Sequence, residues 1–299
     1  MNQVKPTPMK TNSIIACFLM PFFLLSSCQS SSQEIAEKLP SNTKEPTKEI
    51  EILQPNGESI QTRFSPPAGY QRVAHETANF ASYLQQLPLK PHGSIVHYYD
   101  GGEKTQSGVY AAVVDMEIGK RDLQQCADAV MRLRGEFLFQ QKRYDDIRFN
   151  FTNGFDMTFA KWRQGYRVKV AGSKVSWVKS KSPSNSYTNF RSYMNMVFAY
   201  AGTLSLAKEL KSVAISEMQI GDVFIQGGSP GHAVIVVDMA INAAGEKRFM
   251  LAQSYMPAQD IQVLQNPDQA AISPWYEMPT GERVATPEWD FSVYDLKRF

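Results

Sequence analysis

Three side chains in this sequence have the types and the chain order that nucleophilic chemistry needs: Cys126, His232 and Gln253. A thiol becomes a nucleophile when an imidazole takes its proton, and a third polar group holds that imidazole in place by accepting its other ring N–H. An amide oxygen such as that of Gln253 can fill the third role. Each residue also has a plainer reading: Cys126 as a small hydrophobe in the core, His232 as a structural histidine, Gln253 as a polar residue at the end of a strand. Deciding between the two depends on the elements that carry them.

His232 lies in the stretch GDVFIQGGSPGHAVIVVD, residues 221–238. Two apolar runs, 223–225 and 233–237, flank a glycine-rich loop, which describes a hairpin with the histidine at its rim. The Val- and Ile-rich second run is too short for a helix and reads as a strand buried on both faces. A turn at 242–247 leads to a further strand, 248–253, that pairs with it and ends in Gln253. Asp222 is expected to hydrogen-bond a turn, and Asp238 to mark a strand end.

Cys126 belongs to the strongest helical pattern, residues 123–141. Leu123, Cys126, Val130, Leu133 and Phe137 recur at three- and four-residue spacing, so the thiol faces inward near the helix start. Asp122 with Gln125 three residues on forms a capping-box pattern. A helix dipole contributes roughly 0.3–1 kcal/mol, less than one pKa unit at about 1.36 kcal/mol, so activation of the thiol would rest on His232.

The remaining chain supplies a helix over 74–87 ended by Pro88, and a strand pair, 94–99 with 109–116, joined at Asp100-Gly101-Gly102. Strands and turns follow over 148–178, then a long helix over 187–210. Beyond Tyr255 a proline-punctuated aromatic segment is expected to wrap one side of a groove. The fold class is α+β, a single domain over 61–299.

Net charge is +2, with both signs spread through the chain, which argues against a nucleic-acid partner. Cys126 and four scattered histidines (His75, His92, His97, His232) match no zinc-ligand spacing, and no metal or cofactor is expected. At the N-terminus, Lys5 and Lys10 precede an apolar run, 14–25, too short to span a bilayer comfortably, followed by Leu25-Ser26-Ser27-Cys28. This resembles a bacterial lipoprotein signal over 1–28, with Cys28 as the lipidated residue. The resemblance implies a lipid-anchored protein of a Gram-negative envelope, and Gln29 after the cysteine points to the outer membrane. Residues 29–60, beginning with a Ser-, Glu-, Lys- and Pro-rich run, read as a flexible tether. Once Cys17 leaves with the signal and Cys28 carries lipid, Cys126 has no disulfide partner.

Gln125-Cys126 on a helix, Gly221-Asp222 ahead of a strand, Gly231-His232 before AVIVVD, and a polar residue plus Tyr255 on the next strand resemble the CHAP and NlpC/P60 domains. These are papain-like folds that cut peptidoglycan amides. The resemblance implies a core in which the helix carrying Cys126 packs on an antiparallel sheet, with inserted strands and a helix before His232. It implies catalytic roles for Cys126, His232 and Gln253. The whole mature chain resembles a family of Gram-negative lipoproteins known as domain of unknown function 4846, which brings no activity with it. Three functions follow: a lipid-anchored cysteine hydrolase or transpeptidase on peptidoglycan or other amides, a catalytically silent module of the same fold that binds a glycan or peptide, or an envelope-assembly lipoprotein.

Overall fold

A computed structural model describes residues 51–299. The expected signal, Cys28 and most of the tether lie outside them. The tether was expected to run to residue 60, but residues 51–60 pack with the domain: Leu53 bridges Phe64, the Ser65 amide donates to Ile52 O at 2.7 Å, and Ile60 is fully buried. Apolar Ile52, Leu53 and Ile60 give this part of the chain the surface that the preceding polar run lacks.

In chain order the elements are α1 (Ile60–Arg63), β1 (Tyr70–Arg72), α2 (Phe80–Gln85), β2 (Tyr110–Val113) and α3 (Cys126–Gln140). Then come β3 (Arg148–Asn150), β4 (Asp156–Thr158), α4 (Phe159–Arg163), β5 (Tyr166–Ala171), β6 (Lys174–Lys179), α5 (Tyr187–Tyr200) and α6 (Thr203–Glu209). The last third holds β7 (Lys211–Ser212), β8 (Val223–Gln226), β9 (His232–Asn242), β10 (Lys247–Gln253), β11 (Gln262–Leu264), β12 (Tyr276–Glu277), β13 (Arg283–Ala285), β14 (Asp290–Ser292) and β15 (Leu296–Arg298). The architecture is mixed α+β around one large antiparallel sheet. Among the described residues no helix is long and apolar enough to cross a membrane.

The sheet runs β2-β11-β10-β9-β8-β15-β7, with β1 added to the far end of β9 and β12 to β10. β9 is its axis. Residues 232–240 are all buried, as the Val- and Ile-rich run requires of a strand covered on both faces. β8 pairs its first part, Gln226 opposite His232, and β1 its last part, Tyr70 opposite Asn242. β10 lies along its other side. Asp238 is mid-strand and fully buried, not a strand end. It accepts from Arg72 Nε at 2.7 Å and Gln85 Nε2 at 2.8 Å, so its charge ties β1 and α2 to the axis. Asp222 makes the expected turn, accepting from the Gln219 amide at 2.8 Å, and also pairs with Arg298 at 2.6 Å.

Four expected elements differ. The helix carrying the thiol starts at Cys126, because Asp122 is drawn away: its Oδ1 accepts from the Ala258 amide at 2.7 Å and from Gln125 Nε2 at 2.9 Å. Asp128, accepting from the Gln125 amide at 3.1 Å, serves the helix start instead. The hairpin expected over 94–99 and 109–116 does not form. The turn is present, with the Tyr98 amide donating to Gly102 O at 2.7 Å, but it returns the chain only to Glu103, and β2 pairs with β11. The first helix shrinks to α2, capped by Asn79 Oδ1 accepting from the Ser82 amide at 2.8 Å. The 187–210 helix splits at Ala201 and Gly202, which are extended. Both halves bury apolar residues in the same core, so the periodicity runs through the break.

Candidate functional site

Cys126 is the first residue of α3, a helix buried around nearly its whole circumference that packs on β9. Burial on all sides makes charges costly, and Arg132 and Glu136 are tolerated inside because they pair at 2.6 Å and Arg132 also donates to Gln124 Oε1 at 2.9 Å. The Cys126 Sγ lies 4.0 Å from Gly231 O and is also within hydrogen-bonding influence of the Ala233 amide. It thus touches the backbone on both sides of His232. The thiol sits at the edge of an open cleft of about 570 Å³, whose lining includes Asp128, Thr203, Leu204, Pro230 and Met256. Gly231 has to be glycine here: a Cβ would come within 2.5 Å of Thr203 Oγ1 and 2.7 Å of Gln226 O.

His232 and Gln253 are joined as the sequence order suggests. His232 Nε2 and Gln253 Oε1 are 2.8 Å apart. Behind Gln253 stands Glu288, whose Oε2 is 2.6 Å from Gln253 Nε2. Glu288 is in turn held by Lys104 Nζ at 2.7 and 2.8 Å, and Lys104 also donates to Gln259 Oε1 at 3.0 Å. This chain of contacts sets the tautomer. An ionised carboxylate only accepts, so Gln253 must present its NH₂ to Glu288 and its oxygen to the imidazole. His232 Nε2 therefore carries the proton and Nδ1 carries the lone pair. Nδ1 is buried and has no hydrogen-bond partner. The ring is packed by Tyr255, Trp289 and Phe291 at centroid separations of 4.8, 5.4 and 5.8 Å.

Sγ of Cys126 meets the backbone just before His232, but no hydrogen bond joins Sγ to Nδ1, and His232, fully buried, is not among the residues that line the cleft. Burial pushes the Cys126 thiol up to about 11, more than the Ala127, Ala233 and Cys126 amides lower it, and the charge of Asp128 adds to the rise. Burial pushes His232 down to about 4; the bond to Gln253 opposes this and Lys104 reinforces it. At neutral pH the resting site therefore holds a thiol and a neutral imidazole, each a weak actor until the surroundings change.

Sequence reasoning missed Lys104, Glu288, Phe291 and Asp128, while Trp289 belongs to the aromatic segment expected to wrap the groove. Glu288 lies between Pro287 and Trp289 in the aromatic C-terminal segment, whose wrapping role it shares, but no spacing marks it as a partner of Gln253. Lys104 follows an Asp-Gly-Gly turn and looks like any surface lysine; only its burial identifies it. Asp128 is also buried, with Oδ1 unpartnered, and burial raises its pKa well above the usual carboxylate range. His97 faces Glu103 at 3.9 Å and Asp260 at 3.8 Å. Among the described residues no three His, Cys, Asp or Glu side chains are grouped to hold a metal ion. In comparisons with known proteins, the family model described as Domain of unknown function (4846) matches residues 60–298. No curated protein and no solved structure matches the chain.

Proposed function

The chain belongs to the family described as Domain of unknown function (4846), whose description brings no activity, and we propose from the site itself that it is a cysteine hydrolase or transpeptidase acting on amides. The observation that carries this reading is the tautomer-fixed His232 with a buried, unpartnered Nδ1, in a residue whose preceding backbone carbonyl, Gly231 O, lies 4.0 Å from Cys126 Sγ. In this reading Nδ1 takes the thiol proton as Sγ attacks a carbonyl carbon. The pair stays neutral until then, because neither group ionises alone. The amide of Cys126, at the first position of α3, has no partner within the helix and is placed to meet the oxyanion that develops. The imidazolium formed is steadied through Gln253 by the Glu288 carboxylate. A papain-like order of nucleophile, base and orienting amide on helix, strand and neighbouring strand fits this chemistry. With Cys28 lipidated, it would act at the cell envelope, on peptidoglycan or another amide there.

A second reading has its own support. The raised thiol and the lowered, ring-packed imidazole suit a silent member of the same fold, whose cleft binds a peptide or glycan without cutting it. Alkylation of the native protein separates the two. A thiol at about 11 is roughly one part in ten thousand thiolate at pH 7. If His232 serves Cys126, iodoacetamide labels the folded protein well above that limit, the rate falls at least about tenfold in His232→Ala, and Gln253→Ala lowers it less. Labelling that occurs only on unfolding, or that speeds up in His232→Ala as the packing loosens, would leave the binding module.

A further inference from the structure

From Met157 to Lys208 the chain carries nine lysines and arginines and no aspartate or glutamate, so with +2 overall the remainder of the sequence carries −7. The positive charge is concentrated on the hairpin β5–β6 and its base. This hairpin forms a two-stranded sheet of its own, apart from the large one. Its register places Tyr166 and Lys179, Val168 and Trp177, and Val170 and Val175 on one face, and Arg167 and Val178, Lys169 and Ser176, and Ala171 and Lys174 on the other. The first face packs inward: Val168, Val175 and Trp177 lie against the core. The second faces out.

Lys161, Lys169, Lys174, Lys179 and Lys181 are exposed. Among the described residues none of the five has an acidic partner, although Arg148, Arg191, Arg248, Arg283 and Arg298 all do. Unneutralised like charges gathered on one projection repel one another and gain from an opposite surface. The chemistry of the outer face narrows the partner. Stacking on sugars or single-stranded bases needs bare aromatic rings, but Tyr166 and Trp177 belong to the inner face, with Lys161 5.3 and 5.6 Å from their centroids. What the outer face offers beside Lys169 and Lys174 is Ala171, Ser176 and Val178, the last 44% exposed, while exposed Lys179 and Lys181 add their charge at the base of the hairpin. Cations alternating with small or aliphatic side chains suit a lipid headgroup layer.

We propose that the β5–β6 hairpin is a docking surface for an anionic lipid bilayer. The inference stands apart from the chemistry at Cys126 and does not need Cys28 to be lipidated. Each lysine near an anionic leaflet contributes roughly fivefold in affinity, and the attraction is lost over about one Debye length. The test is co-sedimentation of the purified full chain with vesicles of phosphatidylcholine, with and without roughly a third phosphatidylglycerol, at low salt. The apolar run 14–25 engages either composition, so the readout is the ratio of the two affinities. The ratio is expected to exceed about one hundred, and to fall at least about fiftyfold in a variant carrying Lys169→Gln, Lys174→Gln, Lys179→Gln and Lys181→Gln, whose circular dichroism is unchanged. No preference for anionic vesicles in the parent protein, or a preference that survives in the variant, overturns the proposal. So does retention on heparin without binding to anionic vesicles, which would make the partner a soluble polyanion.

Discussion

His232 links the acid–base behaviour of the site to the stability of the whole fold. Its folded pKa, about 4, lies below the ordinary 6.5, so between these values the unfolded chain binds the extra proton. Stability then rises with pH through that window and is lost as pH falls from about 6.5 toward 4, by up to about 3 kcal/mol for the 2.5-unit difference. Asp128 and Asp238, whose pKa values burial raises, act with the opposite sign, since they keep protons that the unfolded chain has released. A plain stability profile therefore mixes these effects. The expected result is in the difference: urea denaturation of His232→Asn against the parent, taken from pH 4 to 7.5, should show the parent losing about 3 kcal/mol more on acidification. Parallel profiles would mean that the imidazole is not held neutral by burial. The sequence pattern puts His232 at the hairpin rim, facing a cleft; the structure buries it completely beneath Trp289 and Phe291, whose cover comes from far along the chain and leaves no mark beside AVIVVD.

The elements show where sequence patterning is informative. The β8–β9 hairpin, the β9–β10 pairing and the placement of Cys126 at a helix start were all legible, because long Val- and Ile-rich runs and a strong 3.6-residue period leave few alternatives. The β2 partner was not legible, since pairing depends on which sheet edge is near and two short apolar runs separated by Asp-Gly-Gly look like a hairpin whichever edge they join. The relay behind Gln253 was also out of reach: Lys104 and Glu288 are 184 residues apart in sequence and share no periodicity. Gly231 lay in view as loop punctuation, but its role is steric. Replacing it with alanine drives a Cβ onto Thr203 Oγ1 and two carbonyl oxygens, so Gly231→Ala should cost about 1–3 kcal/mol, whereas Gly281→Ala, with nothing within 4 Å, should stay within about 0.5 kcal/mol. Equal urea midpoints for the two variants would contradict the packing described at the thiol.

Across the whole molecule, the last described strand closes the sheet. β15 pairs with β8 on one side and β7 on the other, and Arg298 reaches buried Asp222 with two hydrogen bonds of 2.6 and 2.8 Å. Removing the arginine leaves a carboxylate without its cation inside the fold. Because Arg298 is about a third exposed, the expected loss for Arg298→Ala is about 2 kcal/mol, less than the roughly 3–5 kcal/mol of a fully enclosed pair. The measurement is a thermal or urea transition of the variant, and an unchanged midpoint would show that the pair contributes nothing. The closure also has a temporal side. Phe224 of β8 waits about seventy residues for its neighbour Leu296, which at roughly 5–20 residues per second is several seconds of synthesis. During that time β8 presents an unpaired edge, and His232 lacks the cover of Trp289 and Phe291. A growing chain is thus sticky at the place that becomes its site, and crowded copies can pair edge to edge before the closing strand arrives.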